Sequence, residues 1–403
     1  GNDAVFGDDD NDTIFEGAGN DFVVGGTAVD TDTLDYSGVG GGVAMTLANS
    51  SPQATGGAGI DTVSGFENLT GGSGADTLGG DAGSNTLLGG AGNDTILGDD
   101  GDDTIDGEGG TDTVDYTSDT AGITVLLGPA TGPVPGSAAG AGGTDSLLRI
   151  ENVTGGSGND SLSGEAGANI LVGNDGDDVL AGLRGNDTLE GGGGTDTLDY
   201  STADAGVIVN LGSSAAQNTV GAGTDTLLTV ESIVGSPFAD TLSGTAGANF
   251  IQGAAGDDSL SGAAGDDTLE GGAGIDTADY SSAQLGVRVD LSLGGPQDTG
   301  SAGTDTLTTV ENLTGGAGRD DLSGSSADNA LAGGAGNDVL RATGGNDVLD
   351  GGAGLDTADY SARPASVVVN LTAGSGSSAG AVDLLVAVEN ATGGTGADVL
   401  TGD

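Results

Sequence analysis

The string Asp-Thr-x-Asp-Tyr occurs five times in this chain, beginning at Asp32, Asp112, Asp196, Asp276 and Asp356. The spacings are 80, 84, 80 and 80 residues. A second string, Glu-Asn-x-Thr-Gly, keeps the same interval at Glu67, Glu151, Glu311 and Glu389, and Glu231 opens a divergent copy, Glu-Ser-Ile-Val-Gly. A chain with a long fixed period folds as a stack in which each unit contacts its sequence neighbours. Two or three unrelated globular domains are thereby excluded. The repeats read as 1–70 (a partial copy), 71–154, 155–234, 235–314, 315–392 and the start of another at 393–403, all stacked in one continuous solenoid. Both ends fall inside a repeat and show no cap. The expectation is a segment of something longer, or a chain that stacks on copies of itself.

Each long repeat contains a shorter one. From Gly155 the chain reads GGSGNDSLS, GEAGANILV, GNDGDDVLA, GLRGNDTLE and GGGGTDTLD, and the blocks opening at Gly71, Gly235 and Gly315 share this layout. Six residues rich in Gly and Asp make a tight turn, because Gly reaches backbone angles closed to other residues. Three residues of the type Thr-Leu-x then make a short strand with its central side chain pointing inward. One nonapeptide cannot bury its single Leu. Stacked copies can, with parallel strands and a continuous inner column of leucines.

Composition then poses a problem. The chain has 62 acids and 6 bases, for a formal charge of −56, and no Cys, His or Trp. All the bases are arginines. Phosphate contact is implausible at this charge, which excludes nucleic acid as a partner. The same charge argues against anionic membrane surfaces, and no apolar run is long enough for insertion into a membrane. Zinc and iron–sulfur sites lose their usual ligands. There is no His, Lys or Cys to act as base or nucleophile, so no enzyme is expected within these residues. Left to itself such a chain repels itself apart. Either it is disordered or something positive binds the aspartates.

The nonapeptide resembles the repeats-in-toxin (hemolysin-type) calcium-binding family, whose consensus is GGxGxDxUx with U a large apolar residue. Gly89-Gly90-Ala91-Gly92-Asn93-Asp94-Thr95-Ile96-Leu97 is a full match, and so is the run from Gly333 to Arg341. The resemblance implies an all-β fold, a right-handed parallel β-roll or β-helix solenoid in which two nonapeptides make one coil. It also implies calcium ions between stacked turns along both edges.

Two nonapeptides per coil place residues 18 apart above each other, so Asp160, Asp178 and Asp196 fall on one edge and Asn169 and Asp187 on the other. Stacked carboxylates repel unless a cation lies between them. Calcium suits such a gap, since it takes six to eight oxygens and accepts carboxylates together with main-chain carbonyls. The resemblance carries the ligand role to the sixth residue of each nonapeptide. These are Asp76, Asp94, Asp103 and Asp112; Asp160, Asp178, Asp187 and Asp196; Asp240, Asp258, Asp267 and Asp276; and Asp320, Asp338, Asp347 and Asp356. Asp3, Asp12 and Asp21 match in the partial first copy, as does Asp398 near the end, and Asp30 is assigned across a two-residue insertion. The second nonapeptide of every block has an amide at this place: Asn85, Asn169, Asn249 and Asn329. Such a residue either ligates through its oxygen or only caps its own turn. One ion per pair of residues 18 apart gives about 14 calcium ions, and about +28 of compensating charge.

Inserts separate the blocks. They contain β-branched runs such as Val207-Ile208-Val209-Asn210-Leu211 and Val367-Val368-Val369-Asn370-Leu371, which read as strands. A Ser-, Ala- and Gly-rich middle stretch reads as a protruding loop. The insert then returns to a nonapeptide-like register at Asp145, Asp225 and Asp305. Wider coils that continue the roll are expected. Asn68, Asn152, Asn312 and Asn390 head Asn-x-Thr strings that are either glycosylation acceptors or rungs of a side-chain ladder. Tyr36, Tyr116, Tyr200, Tyr280 and Tyr360 occur once per repeat, for packing where the cross-section changes or as a carbohydrate-stacking platform.

These features point to a secreted structural protein, extracellular or on a bacterial cell surface. The expected role is a calcium-stabilised rod in an adhesin, surface layer or filament, folding on calcium binding after secretion. Its partners would be copies of itself, end to end or lateral, or cell-surface glycans. The resemblance implies export by a type I system, whose C-terminal signal is not in this segment. The alternative is a calcium-dependent folding or secretion module of a larger secreted enzyme or toxin.

Overall fold

A computed structural model describes residues 1–27, 30–129, 134–140 and 142–402. Among the described residues there are no helices, and most strands are three residues long. The chain divides into two compact units, residues 1–198 with 222–230, and residues 199–221 with 231–403. Both are parallel β-rolls, and the all-β expectation holds in each.

The three-residue strand follows from the Thr-Leu-x pattern. In Thr95–Leu97 the central Ile96 is fully buried while its neighbours are half-exposed. In the first unit Thr77–Gly79, Thr95–Leu97 and Thr113–Asp115 pair in parallel, with Thr77 opposite Thr95 and Thr95 opposite Thr113. The intervening strands Thr86–Leu88 and Thr104–Asp106 pair on the other face, Leu87 opposite Ile105. Partners therefore lie 18 residues apart and each coil is two nonapeptides. Leu78, Ile96, Val114, Val153, Leu171 and Leu189 form one buried column. In the second unit Leu242, Leu260, Ala278, Leu313, Leu331 and Leu349 do the same. Each buried Leu or Ile supplies roughly 1.5–3 kcal/mol, available only when its neighbours are in place.

The inserts continue the roll, but not as wider coils. In the first unit Thr144–Leu148 pairs in parallel with Thr104–Asp106. Gly136–Ala139 then runs antiparallel to Thr144–Leu148, and Thr124–Leu126 runs antiparallel to Gly136–Ala139. Thr124–Leu126 in turn pairs in parallel with Ser161–Ser163 of the next block. The chain thus jumps ahead, folds back through two reversals and resumes. The second unit repeats the device with Val367–Asn370, Ser375–Ser378 and Ala381–Val386. The stretch read as a protruding loop is therefore an antiparallel strand within the sheet. Its alternating small residues fit a narrow two-sided position, which a reading tuned to β-branched strands passes over. In the insert after Tyr116, residues 130–133 of that stretch lie outside the described residues.

All five tyrosines are buried, which leaves no ring open for carbohydrate. The hydroxyls of Tyr36, Tyr116 and Tyr280 donate to Asp61, Asp145 and Asp305, at 3.3, 2.8 and 3.0 Å. The Asn-x-Thr asparagines act as ladder rungs. Asn152 Oδ1 accepts from Ile170 N at 2.9 Å, and Asn312 Oδ1 accepts from Ala330 N at 2.8 Å.

Candidate metal centres

The turn of each nonapeptide places its sixth-residue carboxylate inward, beneath the turn of the next coil. One oxygen of that carboxylate has a fixed task. Asp76 N donates to Asp94 Oδ1 and Asp94 N to Asp112 Oδ1, both at 2.8 Å. The pattern recurs from Asp160 to Asp178 to Asp196, from Asp240 to Asp258 to Asp276, and from Asp320 to Asp338 to Asp356. On the other edge Asn85, Asn169, Asn249 and Asn329 donate through N–H to Asp103, Asp187, Asp267 and Asp347. The expected stacking at 18 residues is present throughout the four blocks.

The second carboxylate oxygen separates the positions. Asp94, Asp103, Asp178, Asp187, Asp258, Asp267, Asp276, Asp338 and Asp356 each bury an Oδ2 that has no hydrogen-bond partner. An isolated buried carboxylate oxygen is costly. Its surroundings are main-chain oxygens. A Cβ placed on Gly173 would lie 2.1 Å from Asp178 Oδ2 and 2.6 Å from Gly191 O. The absent side chain leaves a cradle lined by one carboxylate oxygen and one carbonyl from the next coil. No three acidic side chains converge as a ready metal cluster among the described residues. The donor set is instead carboxylate plus carbonyl, the hard oxygen set that calcium accepts and softer metals do not favour. The residues present fit calcium.

The first and second nonapeptides of each block differ. Asp160 Oδ2 accepts from Gly156 N at 2.8 Å and Oδ1 from Ile123 N at 2.9 Å, so both oxygens are engaged. Asp76, Asp240 and Asp320 are bound likewise, with Val43, Val207 and Val287 as the insert-strand donors. Asp398 accepts from Val367 N at 2.9 Å. In the divergent turn at Gly235, Ser236 replaces a glycine and its hydroxyl adds a 2.6 Å bond to Asp240 Oδ1. The four asparagines are saturated too. Asn169 Oδ1 accepts from Glu165 N at 2.8 Å, and its amide donates to Glu151 O at 2.6 Å. Asn85, Asn249 and Asn329 repeat this with Glu67, Glu231 and Glu311. The amide joins two coils where an aspartate would need a cation.

In the partial first copy Asp3 N donates to Asp21 Oδ1 and Asp12 N to Asp32 Oδ1. Asp32, not Asp30, therefore takes the stacked place. The strands here pair at a step of 20, Thr13 opposite Thr33, because the insertion shifts the register. Asp30 instead accepts from the Thr27 hydroxyl at 3.1 Å on the surface. The repeated Asp-Thr-x-Asp-Tyr string already aligned Asp32 with Asp112.

Two further sets of acids belong to the edges. Glu67, Glu151, Glu311 and Glu389 accept through Oε2 from the backbone N–H of Asp32, Asp112, Asp276 and Asp356, at 2.7–2.9 Å. They close each aspartate column where the next carboxylate would stand. The insert aspartates Asp61, Asp145, Asp305 and Asp383 accept from Asp21, Asp103, Asp267 and Asp347 in the same way. Their constant position in the long repeat was the signal for both sets.

Burial sets the electrostatics. It pushes Asp103, Asp112, Asp187, Asp258 and Asp267 up to about 7, and Asp178, Asp338 and Asp347 up to about 6. Donation from the stacked N–H opposes the rise, and neighbouring carboxylates add to it.

No curated protein matches the chain. The family described as "RTX calcium-binding nonapeptide repeat (4 copies)" matches residues 1–32, 61–96, 79–114, 149–180, 172–202, 234–269, 243–278, 310–340 and 323–358. Repeats of this family form structural calcium-binding modules, typically in secreted proteins. The matched segments cover the same turns that stack their aspartates and together make up more than half of the chain, which therefore belongs to the RTX calcium-binding nonapeptide repeat family.

Proposed function

We propose that this chain works outside the cell as a calcium-stiffened structural rod, part of an adhesin, surface layer or filament. The observation that carries this reading is the row of buried, unpartnered Oδ2 atoms, repeated at one place in coil after coil. A metal that fills those cradles supplies the missing partner charge, and the binding energy becomes folding energy. About 14 ions would be held, one between residues 18 apart. Low calcium would leave the chain unfolded and ready for export by a type I system, and high calcium outside would fold it. Partners would be copies of the chain or cell-surface glycans. The many near-identical blocks support a structural role, since a folding module alone needs fewer.

The test is far-UV circular dichroism at neutral pH during a calcium titration. The expected result is a disordered spectrum in excess chelator and a cooperative gain of β signal with calcium. A full β spectrum in chelator would overturn the reading.

A further inference from the structure

Arg363 is the one buried arginine among the described residues, 5% exposed. It lies three residues after Tyr360, where the other repeats have Val39, Asp119, Ala203 and Ala283. Its Nη2 stands 3.3 Å from Asp347 Oδ2 and 3.3 Å from Asp383 Oδ2. Its Nε donates to Ala342 O at 3.1 Å, and its guanidinium carbon lies 5.4 Å from the centre of the Tyr360 ring.

Asp347 and Asp383 are a stacked pair of the usual kind, with Asp347 N donating to Asp383 Oδ1 at 3.0 Å. The matching aspartates Asp103, Asp187 and Asp267 each have a buried Oδ2 without a partner, and Asp347 does not. A single nitrogen thus bridges two stacked carboxylates, as a metal ion between coils would. Arginine suits the task because it stays charged when buried and sheds its water more readily than lysine. The carbonyl and the tyrosine ring satisfy the rest of the group.

We propose that Arg363 is a built-in counter-ion that replaces one calcium ion between Asp347 and Asp383. This rests on the calcium reading of the other stacked pairs. The last insert is then joined to its block by a bond that chelators cannot remove.

Calcium stoichiometry of the full chain tests this, by equilibrium dialysis and native mass spectrometry on wild type and Arg363→Ala. The variant is expected to bind one more ion per chain, since both Oδ2 atoms become free to ligate. An unchanged or smaller number in a folded variant overturns the proposal. If Arg363→Ala does not fold in saturating calcium, Arg363→Gln and Arg363→Lys decide. The glutamine variant should gain an ion and the lysine variant should not, and equal numbers overturn the proposal. A wild-type chain that binds no calcium would instead defeat the calcium reading itself.

Discussion

At the scale of the residue, the aspartates of one consensus motif divide into two kinds. Asp160 has both oxygens taken by backbone N–H groups, whereas Asp178 has one taken and one buried without a partner. Asp178→Asn places an amide N–H₂ in the carbonyl-lined cradle and removes a ligand charge. It is expected to weaken calcium binding about tenfold or more, about 1.4 kcal/mol or above. Asp160→Asn should instead cost about 1–3 kcal/mol of stability with a smaller effect on affinity, because it disturbs a turn-closing bond. Calorimetric titration and denaturant unfolding of the two variants check this, and equal losses of affinity would show that the unpartnered oxygen is not the ligand. The sequence motif makes both residues visible but not the difference between them. That difference depends on what stands one coil away, an insert strand for Asp160 and another turn for Asp178. Arg363 was unreadable for the same reason, since its partners lie 16 and 20 residues from it in sequence.

At the scale of the element, the strand–turn alternation was fully legible and the insert only in part. Val367–Asn370 declares itself by its β-branched residues. Ser375–Ser378 carries no such signal, yet it is a strand, because two neighbours hold it on both sides. The insert is pinned to the roll by its tyrosine. Tyr116 donates to Asp145 Oδ2, and that carboxylate already accepts from Asp103 N. Tyr116→Phe keeps the packing and removes the donor, leaving a buried oxygen unsatisfied. The expected cost is about 1–3 kcal/mol in saturating calcium, read from the denaturation midpoint at unchanged slope. No change would mean that water or calcium serves Asp145 equally well.

At the scale of the whole molecule, charge and protonation govern the metal-free state. Asp103, Asp187 and Asp267 are pushed up to about 7 when folded, above the ordinary carboxylate value near 3.9. Between roughly pH 4 and 7 the fold therefore holds more protons than the unfolded chain. The stability these groups give is full below about pH 4 and is lost as pH rises through about 7. Calcium-free protein is thus expected to gain β signal on acidification from pH 8 to 5, followed by circular dichroism in metal-free buffer. A loss of β signal over that range would refute the assignment of these groups. In calcium the same acidification should release ions, since protons and metal compete for the same oxygens.

The reversed insert strands also determine where the chain can be cut. Thr124–Leu126 finds its parallel partner in Ser161–Ser163, and Arg288–Asp290 finds its own in Asp321–Ser323. Each insert is written into the sequence of one repeat and completed by the next, like a dovetail. A truncation at the end of a sequence repeat, such as after Thr154, would strip a strand of its neighbour and bare a sheet edge. Severing the chain inside a block of nonapeptides, between two identical turns, would leave a cleaner end. The period that the eye finds in the letters and the joint at which the protein comes apart are therefore out of phase.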